Sequence, residues 1–257
     1  MGLFENIYVY RPGDKIREDA RYVIEYGPKE YRVANYGHVG FVAGEAGSMK
    51  STFVKTICAA ALSRRKVLFN KVDIEDKKIM YFDTEMPKDL FVDHIDNMFA
   101  IANVAPVEVA ERFLGISLVG EPEPTKKREM VLKAIRSKGE EIGIVVIDVI
   151  ADLFDDENDT EKTQQFIGEL ASLASDYNSI YLIVSHINDS KKLLGSIGRK
   201  LHRKSSFGMN LQKVTPTTSF VESGKTRYES YPPFEFTLNK SGIPEPGDYI
   251  PFPLMHN

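Results

Sequence analysis

A glycine-rich segment that ends in lysine, serine and threonine has the residue types and spacing needed to bind phosphate groups. It extends from Gly44 to Thr52, follows an apolar segment and precedes a helical pattern. Glycines allow a sharp turn in which backbone N–H groups converge on phosphate oxygens, and the start of the following helix adds unpaired donors. The Lys50 ammonium is predicted to reach the β- and γ-phosphates, and the Ser51 hydroxyl to bind Mg²⁺. The predicted residues of this ATP–Mg²⁺ site are Gly44, Glu45, Ala46, Gly47, Ser48, Met49, Lys50, Ser51 and Thr52.

This segment departs from the usual phosphate-loop pattern at one position. The pattern G-x-x-x-x-G-K-[ST] has glycine before the lysine, where this chain has Met49. A side chain at that position is expected to alter the loop or to crowd the nucleotide. An ordinary turn into a helix, without bound phosphate, is the alternative interpretation of the segment.

Acidic residues end two of the apolar segments. Asp148 follows Ile144–Ile147, and we predict that it holds Mg²⁺ through water at the carboxyl end of a strand. Glu85 ends the segment that begins at Ile79, and it is the candidate base that orients and deprotonates the attacking water, with Asp83 as the alternative. An aspartate at a strand end can also simply cap a following helix.

Short apolar segments alternate with helical patterns from His38 onwards. This alternation favours an α/β fold with a mostly parallel central sheet and helices on both faces. The predicted strands are 38–43, 78–82, 112–118, 142–147 and 180–184, and the predicted helices are 51–64, 87–101, 125–137 and 160–177. Residues 214–250 are predicted to form β-structure with turns. Residues 1–33 are interpreted as an N-terminal extension or arm, and 34–257 as one ATPase domain.

The composition narrows the classes of protein. The chain has 257 residues, of which 42% are hydrophobic and 27% charged, which is typical of a soluble globular protein. A net charge of −4 means that any site for a polyanion must be a local patch. Cys58 is the single cysteine, so no disulfide framework can form. The N-terminus lacks the pattern of a secretory signal and no apolar segment is long enough to span a membrane, so we expect a cytoplasmic protein.

Taken in order, these motifs resemble the RecA-like ATPases, and within them the hexameric replicative helicases of the DnaB type and the plasmid RepA type. The resemblance covers about residues 34–240, and it implies a RecA-like three-layer fold with a late β-hairpin. It is carried by Tyr81–Met86, by Ile147–Asp159, by Ile183–Asn188 and by Lys225-Thr226-Arg227.

The resemblance also implies roles for individual residues. Glu85 matches the catalytic glutamate of the family, and His186 matches the strand-ending residue that senses the γ-phosphate. Lys225 and Arg227 match the element that reaches the ATP of a neighbouring subunit, where the arginine supplies positive charge to the transition state. A structural histidine at 186 and a surface charge at 227 are the simpler alternatives.

A basic segment follows His186. In RecA-like rings the segment at this place forms a loop in the central channel that grips single-stranded DNA, and glycines and cations suit a contact without sequence readout. The predicted nucleic-acid contacts are Lys191, Lys192, Arg199, Lys200, Arg203 and Lys204. A solvated basic loop is the alternative.

Three functions are compatible with these motifs. The first is an ATP-driven motor on single-stranded DNA, a ring-forming helicase, expected to be a hexamer that works with replication or mobile-element proteins. The second is a RecA-like recombination or repair ATPase that forms a filament. The third is a regulatory protein whose ATP state switches partner binding with little turnover, which the methionine at position 49 keeps open.

Overall fold

A computed structural model describes residues 23–27, 29–156, 158–187, 193, 195–228 and 230–249 of the chain. The helices are α1 (Lys50–Ser63), α2 (Lys88–Ala102), α3 (Pro106–Val109), α4 (Pro124–Lys138), α5 (Thr160–Asp176) and α6 (Gly195–Lys204). The strands are β1 (Ile24–Tyr26), β2 (Tyr31–Ala34), β3 (Val39–Gly44), β4 (Asn70–Val72), β5 (Lys78–Asp83), β6 (Phe113–Ser117), β7 (Ile142–Asp148), β8 (Ile180–His186), β9 (Phe207–Lys213), β10 (Thr218–Thr226), β11 (Phe234–Leu238) and β12 (Pro244–Tyr249).

Nine of these strands form one sheet in the order β12-β11-β10-β9-β3-β8-β7-β5-β6. The six strands from β9 to β6 run parallel, whereas β10, β11 and β12 are added antiparallel. The predicted α/β fold with a mostly parallel sheet and a late hairpin is therefore confirmed. For each strand and helix predicted above, the first and last residues lie within two positions of those in the structure.

The central strands are buried because helices cover both faces of the sheet. Ile144 and Val146 of β7 pack on the face covered by α1 and α2. Val145 and Ile147 pack on the opposite face, with α4 and α5. This arrangement explains why β7 is apolar at every position up to Asp148 rather than alternating.

The segment 195–204 differs from the predicted basic loop, because it forms helix α6. Ile197 and Leu201 lie one turn apart and are buried against the core, while the cations occupy the exposed face. Two apolar residues among many charges and two glycines are a weak periodic signal. The helix therefore depends on tertiary packing more than on local propensity.

The part of the chain before β3 contributes to a second, smaller sheet. Strands β1 and β2 pair antiparallel and β4 joins them on the other side of β1. Val23, Ile24 and Tyr26 are buried in the core on the α1 face. None of the helices in the described ranges is long and apolar enough to cross a membrane.

Candidate nucleotide site

The candidate site lies at the edge of the sheet where the parallel strands end. Gly44, at the end of β3, pairs with His186 at the end of β8. Asp83 and Asp148 pair at the ends of β5 and β7. Because parallel strands present their carboxyl ends at one edge, segments far apart in sequence meet here. They line a cavity of about 490 Å³ that includes the phosphate loop, Glu85 and His186.

The loop Gly44–Met49 requires glycine at two positions for different reasons. A Cβ on Gly44 would lie 2.4 Å from the Ser48 hydroxyl oxygen and 2.5 Å from the Leu211 carbonyl oxygen, so only glycine fits. Gly47 has a φ of +72°, which side chains disfavour. Met49, the residue that replaces the expected glycine, has a φ of 61° and precedes the first residue of α1. The loop therefore keeps a left-handed backbone at Met49 in spite of the side chain.

Lys50 is buried, and its ammonium group is hydrogen-bonded to the backbone at the start of the phosphate loop. Its Nζ donates to the carbonyl oxygens of Gly44 at 3.0 Å and Glu45 at 2.8 Å, and lies 3.3 Å from Nδ1 of His186. Burial lowers the pKa of Lys50, and the charges of Asp148 and Glu85 oppose that shift. The ammonium group is thus held at the floor of the cavity.

His186 connects Lys50 with Glu85. Because Lys50 is a donor, Nδ1 of His186 must accept, and the imidazole proton then lies on Nε2. Nε2 is 3.9 Å from Oε1 of Glu85, whose side chain is half exposed. The nearby His186 holds the pKa of Glu85 below its ordinary value, so Glu85 is a carboxylate that faces the cavity.

Asp148 is buried and keeps one oxygen available. Its Oδ2 accepts a hydrogen bond of 2.6 Å from the Tyr81 hydroxyl, while its buried Oδ1 has no partner among the described residues. Burial raises the pKa of Asp148, and the hydroxyl groups of Tyr81 and Ser51 oppose the shift. A buried carboxylate oxygen without a partner, next to the Ser51 hydroxyl, is the donor set that Mg²⁺ prefers. These residues therefore fit the metal.

Asp83, the alternative base, faces a different environment from Glu85. Its side chain is buried, and its Oδ2 accepts a hydrogen bond of 2.9 Å from the backbone N–H of Met86. Burial raises the pKa of Asp83 to about 7. It is thus withdrawn from the cavity that Glu85 lines.

Two residues of the β9–β10 hairpin lie beside the phosphate loop, and neither is predicted by the sequence motifs. The Ser219 hydroxyl donates to the carbonyl oxygen of Ser48 at 2.9 Å. The Nζ of Lys213, an exposed residue, lies 3.6 Å from where a Cβ on Gly47 would be. Neither residue belongs to a motif, and only the pairing of β9 with β3 brings them to the loop.

The Lys225-Thr226-Arg227 element lies at the opposite end of the strands, where the parallel strands begin. Thr226 pairs with Phe207, which pairs with Gly40 near the start of β3. Gly44 lies four positions further along β3, which is roughly 13 Å in a strand. Arg227 is exposed, and the Lys225 ammonium donates to the His202 carbonyl oxygen of α6.

The predicted nucleic-acid contacts fall into two groups. Lys191 and Lys192 lie outside the described residues. Arg199, Arg203 and Lys204 are exposed on α6, and Lys200 donates to Oε1 of Gln164 on α5 at 2.6 Å. These four cations lie on the helix that follows the His186 edge of the sheet.

The strand order, the phosphate loop at the end of β3 and the carboxylates at the ends of β5 and β7 are those of a RecA-like P-loop fold. The model of the AAA domain family matches residues 26–191, and the chain belongs to that family. Among solved structures, the crystal structure of the RadB recombinase is similar with a TM-score of 0.60 and 16% identity, over 83% of this chain and 92% of that one. At this identity the likeness establishes a shared fold. A search of curated proteins gives no match.

Proposed function

We propose that this protein hydrolyses ATP in the presence of Mg²⁺ at the carboxyl edge of its sheet. The observation that carries the proposal is the convergence of Lys50, His186 and Glu85 in one cavity, with Asp148 beside them. A cation, a neutral imidazole and a carboxylate held in this order suit the transfer of a phosphoryl group to water.

Each group has a distinct part in the proposed reaction. Lys50 would leave its carbonyl partners to contact the β- and γ-phosphates, while the backbone of the loop surrounds them. Ser51 and Asp148 would hold Mg²⁺, which neutralises charge that develops on the phosphates. Glu85 would orient the attacking water and accept its proton. His186 lies between Lys50 and Glu85 and would link the position of the Lys50 ammonium to that of the Glu85 carboxylate.

We further propose that Arg227 acts on the ATP of a neighbouring subunit. Its position at the opposite edge of the sheet supports this role, because an arginine there can face the site of the next copy in a ring or filament. Such a contribution in trans would make hydrolysis depend on assembly, and Lys225 would position the element through its bond to α6.

The partner best supported is single-stranded DNA, and the leading function is a ring-forming motor, expected to be a hexameric helicase. The four cations of α6 support a contact with phosphate groups. The second candidate is a recombination or repair ATPase, which the likeness to the RadB recombinase favours about as well. A regulatory ATP-binding protein with low turnover is the third, and Met49 is the observation in its favour.

A mixing experiment tests the shared site. Glu85→Gln and Arg227→Ala are each expected to lose ATPase activity as pure proteins. In a mixture, an interface formed by Glu85 of one variant and Arg227 of the other contains both intact groups, so activity should exceed the sum of the separate rates. Arg65→Ala, which removes an exposed arginine elsewhere, is the matched control. A mixture that stays inactive would contradict action in trans, and wild-type turnover at background would favour the regulatory protein.

A second experiment tests the DNA partner. The double variant Arg199→Ala with Arg203→Ala should lose stimulation of ATPase activity by single-stranded DNA, and its binding should depend less steeply on salt than that of the wild type. Arg65→Ala combined with Lys133→Ala removes the same charge from other surfaces. Equal losses in both double variants would argue against a site on α6. Mass measurement with ATP then distinguishes a ring from a filament.

A further inference from the structure

A buried series of polar side chains lies behind the carboxylate assigned to the metal. The Tyr81 hydroxyl donates to Oδ2 of Asp148 at 2.6 Å, and Nε2 of His94 lies 3.1 Å from the same hydroxyl oxygen. Tyr81 is completely buried, so these bonds form away from water, where hydrogen bonds are stronger and their loss is more damaging. The series connects helix α2 to the end of β7.

The direction of each hydrogen bond follows from the number of protons. Tyrosine has one hydroxyl proton, and a carboxylate oxygen can only accept, so that proton points to Asp148. The Tyr81 oxygen must then accept from His94. Burial lowers the pKa of His94 to about 3, so the ring is neutral and its single N–H lies on Nε2.

This arrangement leaves the two oxygens of Asp148 in different states. Oδ2 is held by Tyr81, and Oδ1 is buried without a hydrogen-bond partner among the described residues. A carboxylate with one oxygen held by a hydrogen bond cannot rotate freely. The orientation of the other oxygen, Oδ1, is therefore fixed. Outer hydrogen bonds of this kind orient the ligands of a metal and raise its affinity.

Helix α2 is also hydrogen-bonded to helix α1, close to His94. Nζ of Lys55 donates to Oδ1 of Asn97 at 2.6 Å, and Asn97 lies three residues after His94 on the same helix. Helix α2 begins at Lys88, three residues after Glu85. Helix α2 therefore contacts the metal carboxylate through Tyr81 and begins just after the residue proposed as base.

We propose that Tyr81 and His94 are positioning residues that orient Asp148 toward Mg²⁺, a role that rests on the proposed ATPase function. Tyr81 acts by holding Oδ2, and His94 acts by fixing the direction of the Tyr81 hydroxyl. The simpler alternative is that Tyr81 is an aromatic core residue whose hydroxyl happens to be satisfied. The two interpretations differ in what they predict for metal binding.

The test measures binding of Mn²⁺ in the presence of ADP by electron paramagnetic resonance, which does not depend on turnover. Tyr81→Phe keeps the ring and removes the hydroxyl, and it should weaken Mn²⁺ binding roughly 10- to 100-fold. Binding of ADP in EDTA should be unchanged. Tyr231→Phe is the control, because Tyr231 is also buried and its hydroxyl has no hydrogen-bond partner among the described residues.

Substitutions at His94 test the same inference without altering the central strand. His94→Leu removes the donor and should weaken Mn²⁺ binding, whereas His94→Gln keeps an N–H donor and should restore most of it. Wild-type affinity for Mn²⁺ in both Tyr81→Phe and His94→Leu would overturn the positioning role while leaving the ATPase proposal intact. A wild-type protein that binds ADP but no Mn²⁺ would overturn the metal site itself.

Discussion

The Nζ atom of Lys50 lies 3.3 Å from Nδ1 of His186, across the paired ends of β3 and β8. The other nitrogen of the ring faces Glu85 at 3.9 Å. One imidazole thus joins the group proposed to bind the γ-phosphate to the group proposed to activate water.

The first prediction concerns this imidazole. His186→Ala removes a side chain that lies near both Lys50 and Glu85, so the base loses its orientation while the phosphate loop stays intact. We expect kcat for ATP to fall about 100-fold with KM changed little. His186→Gln, which keeps one polar contact, should fall less. A raised KM with unchanged kcat would indicate that His186 serves binding alone.

The second prediction concerns Met49, which holds a left-handed backbone at a φ of 61°. Glycine adopts this conformation without the steric penalty of a Cβ, which is about 1 kcal/mol. Met49→Gly should therefore be more stable than Met49→Ala by about that amount in urea unfolding, and it should turn over ATP at least as fast as wild type. Equal stability of the two variants would show that the loop has another backbone conformation in solution.

The third prediction concerns Lys213, whose ammonium lies beside Gly47. Lys213→Met keeps the length of the side chain and removes a positive charge next to the phosphate site. Affinity for ATP should fall about fivefold at low salt, which corresponds to roughly 1 kcal/mol, and the difference should shrink as salt screens the charge. Lys240→Met, at an exposed turn, should bind ATP as the wild type does. A loss that is independent of salt would contradict an electrostatic role.

The fourth prediction concerns Asp83, because burial raises its pKa from 3.8 to about 7. A raised carboxyl pKa means that the folded protein binds a proton that the unfolded chain releases between pH 4 and pH 7. The free energy of unfolding should therefore decrease across this range, by on the order of 2 kcal/mol once the roughly 4 kcal/mol that a rise of about three in pKa represents is discounted for solvent screening. Asp83→Asn keeps an acceptor for the Met86 N–H but cannot ionise. The variant should lose less stability than wild type between pH 5 and pH 8 in urea unfolding without nucleotide, and identical losses would contradict the assignment.

Much of the site could be predicted because its chemistry is local or follows from strand order. Gly44 and Gly47 lie within one loop, and the left-handed backbone at Gly47 depends on a few neighbouring residues. Asp148 and His186 each end an apolar strand. Parallel strands bring their carboxyl ends to one edge, so the sequence predicted these residues as neighbours without specifying a distance.

Other features escaped prediction because they depend on which strands are neighbours. Ser219 reaches Ser48 across 171 positions of sequence, and Tyr81 reaches Asp148 across 67. Neither contact leaves a periodic signal, and no motif specifies that Tyr81 meets Asp148 or that Ser219 meets Ser48. Helix α6 was predicted as a loop for a related reason, since two buried apolar residues become decisive only once the core is in place to receive them.

The sequence by itself therefore determined the class of fold, the phosphate loop and the identity of the polar residues at the strand ends, because backbone preference and burial act over a few residues at a time. Only the tertiary structure decided which oxygen of Asp148 stays free, which cation lies beside Gly47 and at which end of the strands Arg227 lies. Those outcomes depend on side chains that meet across the sheet, and their geometry exists only after β9, β3, β8, β7 and β5 have taken their places.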